Sequence, residues 1–531
     1  IFQREGAAMR RALLEMKPAG FEDIIALVAL SRPGPMANIP VYCARKHGTE
    51  VPEYPHPAVE PSLKETYGVI VYQEQVMEIA KVLSGYSLGE ADLLRRAMGK
   101  KIKAEMDAQR TRFVDGAVAR EISNAKANEI FDLLAKFADY GFNKSHAAAY
   151  ALVSYQTAYL KAHYPVEFLA ASMTLDMSNT DKLVEFRREA QRLAIKVEAP
   201  AINHSVDTFE VADGAIRYAL SALKGVGTEA VRAIVAARGG RPFADMSDFA
   251  RRISGRLVNK RVIETLASAG AFDTLEPRRT ALVMGADVIV ATANAAQAAR
   301  EGGQSMLFGA SDEAPIRLPS GPEWSQSERL RREFEAIGFF LSGHPLDEYA
   351  DGLVKLRIQT HAEFGRAVRQ GASAGRLAAT VIDKVERRTK TGNRMGIVQF
   401  SDQSGQYEAI LFSEGLAQFR DLLVPGAAVL LAVGASFENE GLRLRVQSVE
   451  PLETALARVQ QGVRIFVRDA LPVEGIAQRL TRRGEGEVAL IVMADKGETE
   501  VEIRLPGRFE LAGVGVGAIK AVPGVGSVQH V

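Results

Sequence analysis

The chain has 531 residues, of which 47% are hydrophobic and 25% charged, and its 66 Lys and Arg residues almost balance 65 Asp and Glu residues. This length predicts several domains of an ordinary globular protein, and the near-zero net charge restricts any nucleic-acid role to local patches. The single cysteine, Cys43, excludes an intramolecular disulfide framework and a cysteine zinc site. No apolar run approaches the roughly 20 residues that cross a bilayer, and no signal peptide begins the chain, so we expect a cytoplasmic protein without a membrane partner.

The first part of the chain, residues 1–200, is predicted to be mainly helical. Apolar residues recur on one face of residues 126–139, as an amphipathic helix requires. Further helices are predicted at 145–163 and 181–194.

The second part is predicted to contain more strands. An Asp-Gly turn within residues 206–219 predicts a β-hairpin, and residues 285–300 predict a helix. Five strands follow, at 376–385, 395–402, 406–412, 427–437 and 441–449. With a helical insert at 413–423 between the third and fourth strands, they fit an OB-type barrel. The tail, 462–531, predicts a small α/β domain, so the fold class is multidomain α+β.

Residues 141–151 read GFNKSHAAAYA and gather four polar groups just before a predicted helix. Asn143 or Ser145 can cap that helix, which is the usual role of such residues. Alternatively, the helix start is an anion site at which Lys144 and His146 face a phosphate. The residues alone leave both interpretations open.

A basic cluster occupies residues 93–112, with seven basic residues against two acidic ones. The basic residues are Arg95, Arg96, Lys100, Lys101, Lys103, Arg110 and Arg112. A solvated helical face is one interpretation. Paired arginines beside the flexible Gly99 favour an anion instead, since a guanidinium binds phosphate in a bidentate manner.

Residues 223–238 contain a Gly-Val-Gly turn that leads into an amphipathic helix. Free backbone N–H groups there, around Gly225, Gly227 and Thr228, can bind a DNA phosphate, as in a helix-hairpin-helix motif. A degenerate second copy is predicted at 258–272, with its turn near residues 268–270. A glycine turn between packed helices is the alternative.

The first loop of the predicted barrel, residues 386–394, carries Arg387, Arg388, Lys390 and Arg394. This loop is a usual oligonucleotide contact of an OB fold, which predicts binding of single-stranded nucleic acid. The aromatic residues that either stack on bases or enter the core are Phe400, Tyr407 and Phe412.

A Gly-, Ser- and Pro-rich linker contains the short sequence QSMLF, residues 304–308. An apolar pair in such a segment predicts a docking peptide, because exposure of Leu307 and Phe308 is costly without a partner. A chance match to so short a pattern is the alternative.

Three long segments, 21–35, 67–101 and 137–165, closely resemble the alpha subunit of bacterial DNA polymerase III, a C-family replicase. The resemblance spans essentially the whole chain. It implies that residue 1 corresponds to a point just after the palm, the domain that holds the catalytic carboxylates in that family. The domains it implies are fingers at 1–204, tandem helix-hairpin-helix at 205–284, a linker with clamp-binding peptide and helix at 285–370, an OB domain at 371–455 and a tau-binding-like domain at 456–531.

The resemblance also implies functional roles. It implies that Arg95 and Arg96, with Asn143, Lys144, Ser145 and His146, contact the incoming dNTP. DNA contacts are expected at Lys100 and Lys101, at Gly225, Gly227 and Thr228, and at Arg387, Arg388, Lys390 and Arg394. Gln304, Leu307 and Phe308 match a peptide that binds the sliding clamp.

The remaining partners implied are primer-template DNA, single-stranded template and the clamp-loader tau subunit. The catalytic carboxylates and the Mg²⁺ they hold are expected on the palm, outside these residues, so the fragment is expected to be inactive alone. The alternatives are the error-prone translesion paralogue of this subunit, or a DNA-binding and clamp-binding module without catalysis.

Overall fold

The structure is a computed structural model. It describes the chain except for positions 4, 33–34, 101–102, 139–140, 302–314, 389–393, 439–440, 458–461, 481–485, 495–498, 510, 512–518, 521 and 531. The chain forms two compact units, Ile1–Phe168 and Leu169–Val531. Residues 169–204, which the sequence assigns to the fingers, therefore pack with the second unit.

The first unit is helical, as predicted. Its α-helices are α1 (Ala7–Met16), α2 (Phe21–Leu30), α3 (Ile39–Lys46), α4 (Glu60–Leu63), α5 (Gln73–Ser84), α6 (Leu88–Lys100), α7 (Lys103–Val118), α8 (Asn124–Ala138) and α9 (Lys144–His163). Short 3-10 turns lie at Pro35–Asn38, Pro57–Val59 and Lys64–Thr66.

Two apolar cores hold this unit together. One joins α5, α6, α7 and α8, and the other packs Ala147 and Ala151 of α9 against α2. A bridge between Tyr72 and Phe142 places the N-termini of α5 and α9 side by side. The backbone N–H of Gln73 donates to the carbonyl of Phe142 at 3.0 Å, which fixes this arrangement.

The second unit begins within α10 (Pro165–Leu175) and continues with a helical region and a small three-stranded sheet. Its elements are α10 (Pro165–Leu175), α11 (Thr180–Arg192), β1 (Val197–Glu198), β2 (Glu210–Ala212), β3 (Ala215–Arg217), α12 (Thr228–Arg238), α13 (Met246–Arg252), α14 (Lys260–Ser268), α15 (Arg279–Met284), α16 (Ala286–Glu301), α17 (Gln326–Ile337), α18 (Ala350–Lys355) and α19 (His361–Arg369). The predicted hairpin is confirmed: Asp213 and Gly214, both at positive φ, join β2 to β3.

A closed barrel follows, in the order β4-β5-β6-β8-β7. Its elements are β4 (Ala374–Arg388), β5 (Arg394–Asp402), β6 (Gly405–Phe412), α20 (Ser413–Phe419), β7 (Ala428–Glu438) and β8 (Gly441–Pro451). The helix between the third and fourth strands and the parallel pairing of β6 with β8 confirm the OB fold. The first and second strands are longer than predicted, so Arg387, Arg388 and Arg394 of the predicted basic loop lie on paired strands.

The described residues end in a mixed sheet of order β11-β10-β9-β12. Its elements, after α21 (Leu452–Ala457), are β9 (Gly462–Val467), α22 (Val473–Ala477), β10 (Glu487–Ala494), β11 (Thr499–Arg504) and β12 (Val525–His530). This confirms a small α/β domain. Among the helices in the described part of the chain, none is long and apolar enough to cross a membrane.

A turn at residues 269–270 confirms the turn predicted for the degenerate second copy, and it directly follows α14. The N-terminus of α14 is entered through residues 254–259. The side chain of Asn259 caps that N-terminus by accepting from the Val262 N–H at 3.1 Å. Gly270 leaves room for the buried guanidinium of Arg279, so the glycine there serves packing.

Candidate anion-binding site and nucleic-acid interface

The start of α9 is a capped helix. The Asn143 carboxamide oxygen accepts a hydrogen bond from the His146 N–H at 2.8 Å, so the capping interpretation is confirmed for Asn143. Ser145 and His146 are exposed at the first turn. The His146 ring lies between Phe142 and Tyr150, at centroid distances of 5.4 and 4.5 Å.

A carboxylate from another helix occupies the same helix start. Glu74, in the first turn of α5, accepts from the Lys144 N–H at 3.0 and 3.1 Å and from the Asn143 Nδ2 at 2.8 Å. Free N–H groups and the helix dipole favour negative charge at this end of a helix. The helix start therefore binds an anionic group, and here that group is a side chain of the chain itself.

Lys144 is held by a second carboxylate. Its Nζ donates to both oxygens of Glu65 at 2.8 Å and lies 5.4 Å from the centroid of the Tyr72 ring. The two charged side chains are 39% and 37% exposed, so the ion pair faces solvent. Water screens such a pair strongly, which keeps its contribution to stability small.

Arg95 and Arg96 share a third carboxylate, that of Asp92 one turn earlier on α6. Arg95 approaches one oxygen of Asp92 at 2.8 Å, and Arg96 approaches the other oxygen at 2.8 Å. The hydrogen bond from Arg95 is the main influence on the pKa of Asp92, which lies below its usual value. The two guanidinium groups are thus held together on one face of the helix.

A glutamine connects the arginine pair with the start of α9. Gln73 accepts from Arg95 at 3.4 Å and donates through its Nε2 to the carbonyl of Gly141 at 2.9 Å. The structure therefore brings together Arg95 and the 141–146 segment, which are separated by about 50 positions in the sequence. We call this surface, formed by Glu65, Gln73, Glu74, Asp92, Arg95, Arg96 and residues 143–146, the α6–α9 cluster.

Sequence reasoning missed the acidic half of the α6–α9 cluster. Asp92 carries a local signal, because it precedes Arg95 and Arg96 by three and four positions on a helix. Glu65 and Glu74 carry none, since only the tertiary fold brings them to Lys144.

The outer part of the basic cluster is also paired. Arg110 contacts Asp132 of α8 at 2.5 Å, and Arg112 pairs with Glu90. Carboxylates outside residues 93–112 thus offset the positive charge counted in the sequence. Lys101 and the side chain of Lys100 lie outside the described residues.

The glycine turn before α12 is an open backbone site. Gly225 adopts φ +80°, a left-handed conformation that favours glycine, and Gly227 precedes the helix without a side-chain cap. Thr228 begins the helix. The guanidinium of Arg261 lies 3.4 Å from where a Cβ at Gly225 would stand, and no sequence pattern predicts this neighbour.

The basic end of the barrel lies on β4 and β5. Arg388 of β4 and Arg394 of β5 are register partners, and Arg387 precedes Arg388 on β4. All three side chains are exposed. Lys390 lies outside the described residues. Phe412, on the neighbouring β6, is 54% exposed and free to stack on a base.

The other two aromatic candidates belong to the barrel core. Phe400 is fully buried and Tyr407 is 7% exposed, so neither can stack on a base at the surface. Alternation along β5 and β6 turns both side chains inward. The clamp-peptide candidates Gln304, Leu307 and Phe308 lie outside the described residues.

Comparison with known families identifies two regions. Residues 1–121 match the family described as the bacterial DNA polymerase III alpha subunit finger domain. Residues 194–282 match a helix-hairpin-helix motif family. The fold is therefore that of a multidomain chain, in which one region matches a polymerase finger-domain family, another matches a helix-hairpin-helix family, and a third forms an OB barrel.

The whole chain is similar to proteins named DNA polymerase III subunit alpha. It is 46% identical to that of Caulobacter vibrioides over all of this chain and 47% of the relative. It is 43% identical to that of Vibrio cholerae, covering 88% of this chain and 41% of the relative, and 40% identical to that of Escherichia coli K12, covering 90% and 43%. The chain spans about half the length of these curated relatives. The predicted resemblance to the alpha subunit is confirmed as a similarity over this chain, and its residues 1–121 match the finger-domain family.

Among solved structures, the second OB-fold domain of replication protein A from Methanococcus maripaludis matches 15% of this chain and 85% of its own, with 22% identity and a TM-score of 0.13. The fold of the barrel follows from its own strand order and helix position.

Proposed function

We propose that the chain is part of the catalytic alpha subunit of a bacterial replicative DNA polymerase III, and that its α6–α9 cluster binds the triphosphate of the incoming dNTP. The observation that carries this proposal is the convergence of Arg95, Lys144 and the start of α9 on one surface. Each of these groups holds a carboxylate through hydrogen bonds that a phosphate oxygen would also accept.

The chemistry of nucleotide addition explains why such a cluster is useful. In the transition state of phosphoryl transfer, negative charge is spread over the phosphate oxygens. Catalysis depends on positioning the reactants and on cations that stabilise this charge. Arg95 and Arg96 supply planar donors for bidentate contact, and Lys144 supplies a compact positive charge. Their role is to bind and orient the triphosphate.

The metal ions belong to another part of the subunit in this proposal. Carboxylates of the palm, outside these 531 residues, would hold Mg²⁺ and so stabilise the attacking and leaving oxygens. We therefore expect the isolated chain to extend no primer in the presence of Mg²⁺ and dNTPs. Primer extension by the purified chain would refute this part of the proposal.

The other regions are assigned to DNA and protein partners. Lys100, Lys101 and the glycine turn at Gly225–Thr228 would contact primer-template DNA, and the basic end of the barrel would contact single-stranded template. Residues 304–308 would bind the sliding clamp, and residues 456–531 the clamp-loader tau subunit. The helix-hairpin-helix match and the OB fold support the DNA roles.

The test uses single-nucleotide incorporation by the full-length subunit with the change Lys144→Met. We expect the apparent KM for dNTP to rise roughly ten-fold or more while primer-template affinity is unchanged, because a charge-assisted contact to phosphate is lost. Lys81→Met is the matched control, since Lys81 forms a similar exposed ion pair with Glu78 on α5. Equal kinetics of the Lys144 and Lys81 variants would overturn the assignment.

A further inference from the structure

The cationic and N–H groups of the α6–α9 cluster are already bound by carboxylates of the chain. Glu65 receives two hydrogen bonds from Lys144, each at 2.8 Å. Glu74 receives the backbone N–H of the same residue at 3.0 and 3.1 Å. These are the donors that a phosphate group at the start of α9 would use.

The two glutamates and the lysine lie on three different elements of the first unit. Glu65 lies in the turn Lys64–Thr66, and Glu74 lies in the first turn of α5, whereas Lys144 begins α9. Among the described residues, the hydrogen bonds of the Glu65 carboxylate go to Lys144 alone. Asp92 differs, because it pairs with arginines of its own helix.

A triphosphate and these carboxylates cannot share the same donors without repulsion, because all carry negative charge. Binding of a phosphate to Lys144 must therefore break or weaken the contacts with Glu65 and Glu74. Since the Lys144–Glu65 pair is exposed, breaking it requires only a small free energy. The glutamates would then lower the affinity of the cluster for phosphate by a modest factor.

We propose that Glu65 and Glu74 are internal competitors of the incoming triphosphate and that they set the affinity of the α6–α9 cluster for dNTP. This inference rests on the proposed function of the cluster. Both glutamates act through Lys144 and the helix start, and are positioning residues. They keep the lysine in place and make dNTP binding weaker and more easily reversed.

The test is the change Glu65→Gln in the full-length subunit, measured by steady-state incorporation of dATP opposite template T. The apparent KM for dATP should fall roughly two- to five-fold, the factor that an exposed ion pair of usual strength gives. kcat should stay within about two-fold, and the difference in KM should shrink at high salt, because exposed charges are screened. Glu74→Gln, which keeps an oxygen to cap α9, should act in the same direction.

The matched control is Glu78→Gln, on the same helix as Glu74. Glu78 pairs with Lys81 at 2.7 Å, and its side chain is comparably exposed, but its partner lies outside the cluster. Its KM should equal that of the unmodified enzyme. If Glu65→Gln leaves KM unchanged, raises it, or lowers it no more than Glu78→Gln does, the competitor role is overturned.

A double variant separates this proposal from the function on which it rests. In a Lys144→Met background, Glu65→Gln should have no further effect on KM, because the competition acts through the lysine. A full effect of Glu65→Gln in that background would overturn the mechanism. A Lys144→Met enzyme with unchanged KM would instead refute the dNTP site itself. Thermal unfolding of each variant shows whether it is folded.

Discussion

The α6–α9 cluster in the first unit and the basic end of the barrel in the second unit both carry exposed basic side chains. They differ in whether carboxylates of the chain pair with those side chains. In the cluster, Lys144 contacts Glu65, and Arg95 contacts Asp92. On the barrel, within the part of the chain that the structure describes, Arg387, Arg388 and Arg394 are exposed and form no ion pair. A basic patch counted in a sequence is therefore not a measure of the charge available to a ligand.

This difference has a physical consequence for binding. A ligand of the cluster must compete with carboxylates for donors that are already aligned, so binding there favours a group with several strong acceptors, such as a triphosphate. Arg387, Arg388 and Arg394 of the barrel, which form no ion pair with another described residue, can neutralise the phosphates of a nucleic-acid strand, and that binding depends on salt through counterion release. The cluster suits a specific small ligand, whereas the barrel suits a polymer of any sequence.

The largest expected effect comes from the cluster. Arg95→Ala in the full-length subunit should lower kcat/KM for dNTP roughly 100- to 1,000-fold, as loss of a preorganised donor to developing charge does. Single-turnover incorporation measures this. Arg110→Ala is the matched control, since Arg110 pairs with Asp132 in the same unit but outside the cluster. Similar losses for both variants would remove the distinction between cluster and surrounding basic residues.

A smaller effect is expected on the barrel. Replacing Arg387, Arg388 and Arg394 together by Ala should weaken binding of the 531-residue chain to a single-stranded oligonucleotide about 50-fold at low salt. The slope of log affinity against log salt should fall by about 2, since each phosphate contact contributes about 0.7. Fluorescence anisotropy at several salt concentrations provides both numbers.

Arg420→Ala is the internal comparison for the barrel experiment. Arg420 is also exposed, but Glu386 holds it in an ion pair, so its removal should change the affinity and the salt slope much less per residue. Arg420 could instead contribute as much to oligonucleotide affinity as each of the other three arginines. In that case, an ion pair with a carboxylate does not determine how strongly an arginine binds DNA. The contrast between the two regions would then fail.

The smallest effect concerns stability. His344, beside the barrel, is buried and hydrogen-bonded to Ser401, and burial lowers its pKa to about 4. The unfolded chain takes up this proton near pH 6.5, whereas the folded chain takes it up near pH 4, so the free energy of unfolding falls as pH falls through that window. The loss should be about 2 kcal/mol at pH 5 relative to pH 8.

The first unit should resist the same change of pH. Its buried Asp23 pairs with Lys46 at 2.8 Å, and hydrogen bonds hold the pKa of Asp23 below its usual value in spite of burial, so this carboxylate is still charged at pH 5 in both states. Hydrogen exchange at pH-corrected intervals should show earlier opening around residues 339–407 than around α2 and α3. His344→Gln should reduce the pH dependence of the second unit, and His361, whose pKa is also lowered by burial, should keep part of it. Unchanged pH dependence in that variant would contradict the assigned cause.

The sequence predicts the elements well where the signal is local. The Asp213-Gly214 turn, the apolar stripe of α8 and the alternating strands of the barrel all depend on neighbours within a few residues. The cap at Asn143 and the glycine turn that precedes α12 also depend on nearby residues in the sequence. The proximity of Arg95 to the 141–146 segment was expected from the family resemblance, and the structure has it through Gln73.

What the sequence does not predict is set by tertiary contacts. Glu65 meets Lys144 across 79 positions, and Arg110 meets Asp132 across 22, with no pattern that marks either pair. The burial of Phe400 and Tyr407 depends on which face of each strand points into the barrel, and the alternation of residues does not decide between the two faces.

The most direct test of the dNTP site locates the triphosphate on the chain without changing any residue. The full-length subunit, bound to a dideoxy-terminated primer-template with Mg²⁺, is irradiated with dATP that carries a 4-azidoanilide on its γ-phosphate, and the labelled peptides are sequenced. We expect label in α6 or at residues 141–150, and its suppression by excess unlabelled dATP when the template base is T. Template-dependent labelling confined to peptides outside residues 65–150 would contradict the proposal that this cluster binds the incoming nucleotide.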